Sequence, residues 1–125
     1  MKKFISLIIL SFSAALFTSA NAVEMRPVLT LDMAKKMAQA CESRATVEGW
    51  RMNIAIMDAG GNLIYFQRMD RAFLKSIEIA ILKAETSAGF PFSTKVVEEI
   101  AATRVPGIAH DPGVAAFEGG LPVMT

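Results

Sequence analysis

Residues 53–68 read Asn-Ile-Ala-Ile-Met-Asp-Ala-Gly-Gly-Asn-Leu-Ile-Tyr-Phe-Gln-Arg, two short runs of strand-forming side chains on either side of a turn. Gly60 and Gly61 can take the positive φ that a tight reversal demands, so the run predicts a β-hairpin. Met52, Ile54 and Ile56 alternate with Asn53, Ala55 and Met57; after the turn, Leu63, Tyr65 and Gln67 alternate with Ile64, Phe66 and Arg68. A period of two makes one sheet face strongly apolar and the other mixed. The uniform face is expected to receive the helices, and the mixed face is free to meet a partner. Tyr65 and Phe66 then point to opposite faces, so only one of them can touch a given ligand.

Helical patterns flank the hairpin. Thr30 can cap a helix running to about Glu48, with Met33, Met37, Ala40, Cys41 and Ala45 on its apolar side and Gly49 placed to end it. From Ser76 to Ala88, residues Ile77, Ile81, Ala84 and Ala88 recur on one side of a second helix, with Lys83 and Glu85 assigned to solvent. Gly89 and Pro91 stop it. Ser93 or Thr94 caps a short third helix that buries Val96, Val97, Ile100 and Ala101 and closes at Pro106-Gly107. Ile108 to Gly120 reads as a long surface loop, and Leu121 to Thr125 as the start of another strand. The fold class is α/β of the α+β kind: an antiparallel sheet with helices packed on it and the C-terminal part of the sheet missing. A lone two-stranded hairpin leaves sheet edges unpaired and is marginal in water, so neighbouring subunits or further chain must complete it.

Lys2 and Lys3 precede an apolar run from Phe4 to Phe17, and Ala20-Asn21-Ala22 offers small residues to a signal peptidase. Residues 1–22 therefore read as a secretory signal and residues 23–125 as a single domain. The apolar run is short for a bilayer span, so no stable membrane span is expected after cleavage, and the destination is the periplasm or the exterior. With 13 basic and 12 acidic side chains in all, and two of the basic ones in the signal, the remaining chain is nearly neutral. That balance lacks the clustered basic excess of a nucleic-acid binder. A hydrophobic content of 53% argues against disorder. Cys41 is the only cysteine, so no intrachain disulfide forms, and its place on the apolar side of the first helix predicts a small buried hydrophobe.

The ordered series Leu29-Thr30-Leu31, Ile54-Ala55-Ile56-Met57-Asp58-Ala59-Gly60-Gly61-Asn62-Leu63, Arg68-Met69-Asp70, Ser76-Ile77-Glu78-Ile79-Ala80, Lys83-Ala84, Pro106-Gly107 and Gly119-Gly120-Leu121-Pro122-Val123 resembles the GlcG/HbpS haem-binding family. The resemblance spans nearly all of the chain after the signal. It implies an antiparallel sheet flanked by helices, assembly into homo-oligomers, and haem or a related tetrapyrrole as the ligand. It also implies a departure, since members usually continue past the Gly-Gly-x-Pro segment with a further hairpin and a terminal helix.

Haem requires an apolar slot, cations or donors for its propionates and often an axial ligand. His110, the only histidine, sits in Pro106-Gly107-Ile108-Ala109-His110-Asp111-Pro112-Gly113 and is the candidate axial ligand, against the alternative of a solvated loop residue. Arg68, Arg71 and Lys75 follow the hairpin closely and are candidates for propionates, against the alternative of a solvated turn. Tyr65 is a further candidate contact that also suits simple packing, and Asp70 suits a cap. The Asp58-to-Asn62 turn lacks the spaced glycines and following helix of a phosphate cradle, and no zinc spacing or nucleophile constellation occurs. The leading expectation is an exported, non-enzymatic, oligomeric protein that binds haem. The alternative is a ligand-free assembly module joined through the mixed sheet face and the unsealed edge, and an enzyme acting on a small metabolite ranks last.

Overall fold

The computed structural model describes residues 27–123; the expected signal over residues 1–22 and the last two residues lie outside them. The element order is α1 (Leu31–Val47), β1 (Asn53–Met57), β2 (Leu63–Arg68), α2 (Ser76–Gly89), α3 (Thr94–Thr103) and a 3₁₀ turn (Pro106–His110). Among the described residues the sheet has two antiparallel strands, β1 and β2.

Thr30 caps α1, its hydroxyl accepting from the Met33 N–H at 3.3 Å. Gly49, at φ 71°, ends the helix: its N–H donates to the Thr46 carbonyl, and the Trp50 N–H donates to that of Ala45. This pair of bonds satisfies carbonyls that the helix itself leaves free, and only a residue at ease in the left-handed region closes it without strain. The buried seam of α1 is Ala34, Ala38 and Ala45, with Met37 half-buried; Met33, Ala40 and Cys41 are exposed. The expectation of a buried Cys41 is thus corrected. At 100° per residue Cys41 is aligned with the three alanines, but the hairpin covers the helix through Ile54 and Ile56 at Ala34 and Ala38 and leaves position 41 open.

The register pairs Ile54 with Gln67 and Ile56 with Tyr65 on one face, and Asn53 with Arg68 and Ala55 with Phe66 on the other. Between Ile56 and Met57 the ladder slips: Met57 pairs with Leu63, leaving Ile64 as an extra residue in β2. The turn is organised by the Asp58 carboxylate, which accepts from the Gly60 N–H and the Asn62 N–H at 2.8 Å each and from the Asn62 side-chain amide at 3.1 Å. Hydrogen bonds from the Asn62 backbone and side chain, with a further one from the Gly60 backbone, hold this carboxyl below the usual carboxylate range. A depressed folded-state pKa stabilises the native state above the unfolded value, and that stabilisation disappears as the pH falls through the folded value. Relative to an Asp58→Asn variant, the wild type is therefore expected to hold a constant advantage in Tm from pH 7 to pH 5 and to lose it below about pH 4. Thermal melts at stepped pH check this.

Helices cover both sheet faces, not the uniform face alone as the alternation suggested. Helix α1 lies on the Ile54 and Ile56 face, where Leu29, Met37, Ile64 and Tyr65 join the cluster. From the opposite face the buried Asn53 side chain donates to the Phe73 carbonyl at 3.1 Å and to the Ser76 hydroxyl at 2.6 Å, fastening the start of α2 beneath β1. Helix α2 then runs with Ile77, Ile79, Ile81 and Ala84 all half-buried.

Its fully buried residues are polar, Thr86 and Ser87, because the C-terminal segment lies against them. The Ala115 N–H donates to Thr86 Oγ1 at 2.9 Å. Thr94, at the start of α3, exchanges two bonds with Gly120: its N–H donates to the Gly120 carbonyl at 3.0 Å, and its Oγ1 accepts from the Gly120 N–H at 2.8 Å. Ser93, not Thr94, caps α3, accepting from the Val96 N–H at 3.4 Å. Lys83, expected at the solvent face, is half-buried: its Nζ donates to the Glu118 carbonyl at 2.6 Å and lies 4.3 Å from the centre of the Phe117 ring. Desolvation pushes its pKa down, opposed by the charges of Glu118 and Glu98. The stretch expected to be a surface loop is thus in part a packed strap across α2 and α3, with Ala115 and Gly120 buried.

Candidate functional site

Among the described residues shallow clefts lie open on this framework, two of them beside residues expected at the site. The first, of about 470 Å³, runs along α2 and is lined by Lys75, Glu78, Ile79, Ile81, Leu82, Glu85 and Pro112. Spacings of three and four on one helix bring Glu78, Ile81, Leu82 and Glu85 to a common side, and the strap supplies Pro112 opposite them. The wall is mostly apolar, and Lys75 pairs with Glu78 at one end. The turn that carries Pro112 is fixed locally, since Asp111 Oδ1 accepts from the Gly113 N–H at 2.7 Å. The Asp111 carboxylate is thereby engaged in its own turn. His110 ends the 3₁₀ turn two residues before Pro112 and is exposed.

The second cleft, of about 420 Å³, lies between the C-terminal half of α1 and the turn after β2, and is lined by Glu42, Thr46, Arg51, Met69, Asp70 and Arg71. That turn is closed by the Ala72 N–H donating to the Met69 carbonyl at 3.1 Å, and it holds Arg71 at φ 64°, a left-handed conformation that costs a non-glycine residue roughly 1 kcal/mol or more. Asp70 is exposed in this turn and makes none of the capping bonds expected of it among the described residues.

The anticipated site residues are therefore dispersed. Arg71 lines the second cleft and Lys75 the first, while Arg68 lines neither and sits at the end of β2 opposite Asn53. Tyr65 packs into the core cluster with its hydroxyl donating to Gln67 Oε1 at 3.3 Å. His110 belongs to the 3₁₀ turn, which packs on α3. Among the described residues no three His, Cys, Asp or Glu side chains group as a metal site, and no helix is long and apolar enough to cross a membrane. The apolar wall of the first cleft escaped the sequence reading because its residues come from a helix and from a stretch read as loop. The one signal available was Pro112, close after the only histidine.

An α1–hairpin–α2–α3 order with a strap returning to α2 defines a class of small α+β domains. The chain belongs to the HbpS-like family: the family model described as haem degrading protein HbpS-like matches residues 29–125. It is 34% identical over 108 residues to a 15.0 kDa protein from the dhaT–dhaS intergenic region of Citrobacter freundii, covering 83% of this chain and 76% of that one. To protein GlcG of Escherichia coli it is 29% identical over 102 residues, with 82% and 76% covered. The crystal structure of HbpS superposes with a TM-score of 0.75 at 30% identity, over 83% of this chain and 73% of the other. The mixed fold and the GlcG/HbpS resemblance read from the sequence are both borne out.

Proposed function

We propose that this chain is an exported protein that binds haem or a related tetrapyrrole as a homo-oligomer, without itself transforming the ligand. Membership of a family whose model is described as haem degrading protein HbpS-like is the observation that carries the haem part of the reading. The first cleft supports it: a planar apolar ligand needs an apolar wall and charges confined to the rim, and Ile79, Ile81, Leu82 and Pro112 offer the wall while Lys75, paired here with Glu78, would exchange that partner for a ligand carboxylate. His110, two residues before Pro112 and exposed, is the residue this reading assigns to offer a nitrogen to the metal. Haem bound there would supply an iron centre. The chain's own part is to shield one face of the ring, hold a propionate at Lys75 and present the imidazole.

Titration of the purified protein with haemin is expected to give a saturable, shifted Soret band. His110→Ala is expected to change the band and weaken binding about tenfold or more, equivalent to about 1.4 kcal/mol. Ile81→Asp, which sets a charge in the apolar wall, is expected to abolish binding with the circular dichroism unchanged. A folded wild type that shows no saturable uptake overturns the reading.

A further inference from the structure

The second cleft gathers charges of both signs that do not pair with one another. Glu42, Arg51, Asp70 and Arg71 line it together with Thr46 and Met69, yet among the described residues none of these four charges forms an ion pair. Exposed charges elsewhere do pair, as Lys36 does with Asp32 at 2.7 Å and Arg44 with Glu48 at 2.6 Å. Arg51 donates one N–H to the Trp50 carbonyl at 3.3 Å, which leaves most of its guanidinium fork for another acceptor. The walls are held by backbone bonds. Glu42, half-buried, and Thr46 stand four apart on one side of α1. The Trp50 N–H donates to the Ala45 carbonyl at 2.8 Å and fastens the connection that carries Arg51 to α1; the Met69 N–H donates to the Met52 carbonyl at 3.0 Å and fastens the turn of Asp70 and Arg71 to that connection. All six lining residues thus fall between positions 42 and 71. Arg71 is also the only non-glycine residue at positive φ among those described. Glycine would sit there without strain, so an arginine held there at a cost points to a use for its side chain.

We propose that this cleft binds a small zwitterion, an α-amino acid with an apolar side chain, its carboxylate held by Arg51 and Arg71 and its ammonium group by Glu42 and Asp70. Planar guanidinium forks match a carboxylate, and the Thr46 hydroxyl adds a further donor. Because the lining carries two positive and two negative charges, a simple anion or cation meets repulsion along with attraction. A molecule bearing both charges satisfies both sets. Met69, only 8% exposed, offers the ligand's side chain an apolar contact. The cleft shares no lining residue with the first one, so this site is separate from the one proposed for haem.

The test is a titration of the purified protein with L-leucine followed by heteronuclear NMR, alongside isocaproate, which lacks the ammonium group, and isoamylamine, which lacks the carboxylate. Leucine is expected to shift the amides of Glu42, Arg51 and Arg71 saturably and to bind about tenfold or more tightly than either analogue. Arg71→Gly relieves the left-handed strain, so it is expected to melt no lower than the wild type while binding leucine about tenfold or more weakly. Arg51→Gln, outside the strained turn, is expected to show the same loss. No saturable shift in the folded wild type, an equal response to isocaproate, or wild-type affinity in both arginine variants overturns the proposal. Haemin uptake is measured on the same samples: leucine binding without haemin uptake upholds this site while removing the haem reading, so the two fail separately.

Discussion

Gly120→Ala is expected to destabilise the protein by about 3 kcal/mol, the upper end of what overpacking a tight interior costs. A Cβ at this position would stand 2.5 Å from the Lys83 carbonyl oxygen, 2.7 Å from Ser87 Oγ and 2.8 Å from Thr94 Cγ2. The first of these is helix backbone and cannot swing aside, so the strap itself must lift. Lifting it breaks the paired bonds between Thr94 and Gly120 and strands a buried hydroxyl, which adds to the steric cost. For a domain of this size the loss corresponds to a fall in Tm of about 12–24 °C. Thr94→Val should move in the same direction by less, about 1–2 kcal/mol, since it removes one acceptor without forcing the backbones apart. Because both variants act on one pair of bonds, the double variant should cost less than the sum of the two. Full additivity in chemical denaturation would show that the strap does not depend on this contact.

Ile56→Ala is expected to cost about 2–4 kcal/mol, the usual range for emptying a large aliphatic site in a core. Ile56 meets Ala34 and Ala38, which are 0% and 1% exposed, so the neighbours on α1 have no side-chain length with which to fill the space. This cluster is also what joins the first helix to the hairpin, so the loss should abolish cooperative unfolding and not merely lower its midpoint. Tyr65→Phe is the control on the same face. It keeps the ring in the cluster and removes only a 3.3 Å bond to Gln67, so a change of about 1 kcal/mol or less is expected. Urea unfolding followed by circular dichroism separates the two results.

Much of the fold is legible in local chemistry. Thr30, Gly49 and Ser93 act within one helical turn of where they stand, so their capping and stopping roles can be read without knowing what else is near. The hairpin is equally local, because Asp58, Gly60 and Asn62 bond one another. Periodicity is a weaker guide to which face is buried. It placed Cys41 inside and Lys83 outside; the structure exposes Cys41 and half-buries Lys83, because burial depends on which element arrives to cover a face. The candidate site was less legible still. Arg68, Arg71 and Lys75 are close in sequence, yet a positive-φ turn and a helix start separate them in space, while Lys75 and Pro112, far apart along the chain, share one cleft.

The amino-acid sequence alone determined the hairpin, the starts of the three helices and the family, since each rests on residues that interact with near neighbours or on an ordered series of short motifs; the third helix ends at Thr103, and Pro106-Gly107, expected to close it, instead opens the 3₁₀ turn. Tertiary structure alone decided that residues 111–120 form a strap, that Thr86, Ser87 and Thr94 are interior, and that the apolar cleft combines a helix face with a proline about thirty residues away. The physical reason is that a capping bond or a tight turn is satisfied within a few residues. A buried hydroxyl or a ligand wall exists only once distant backbone has been brought against it, and its stabilising contacts are then set by that approach.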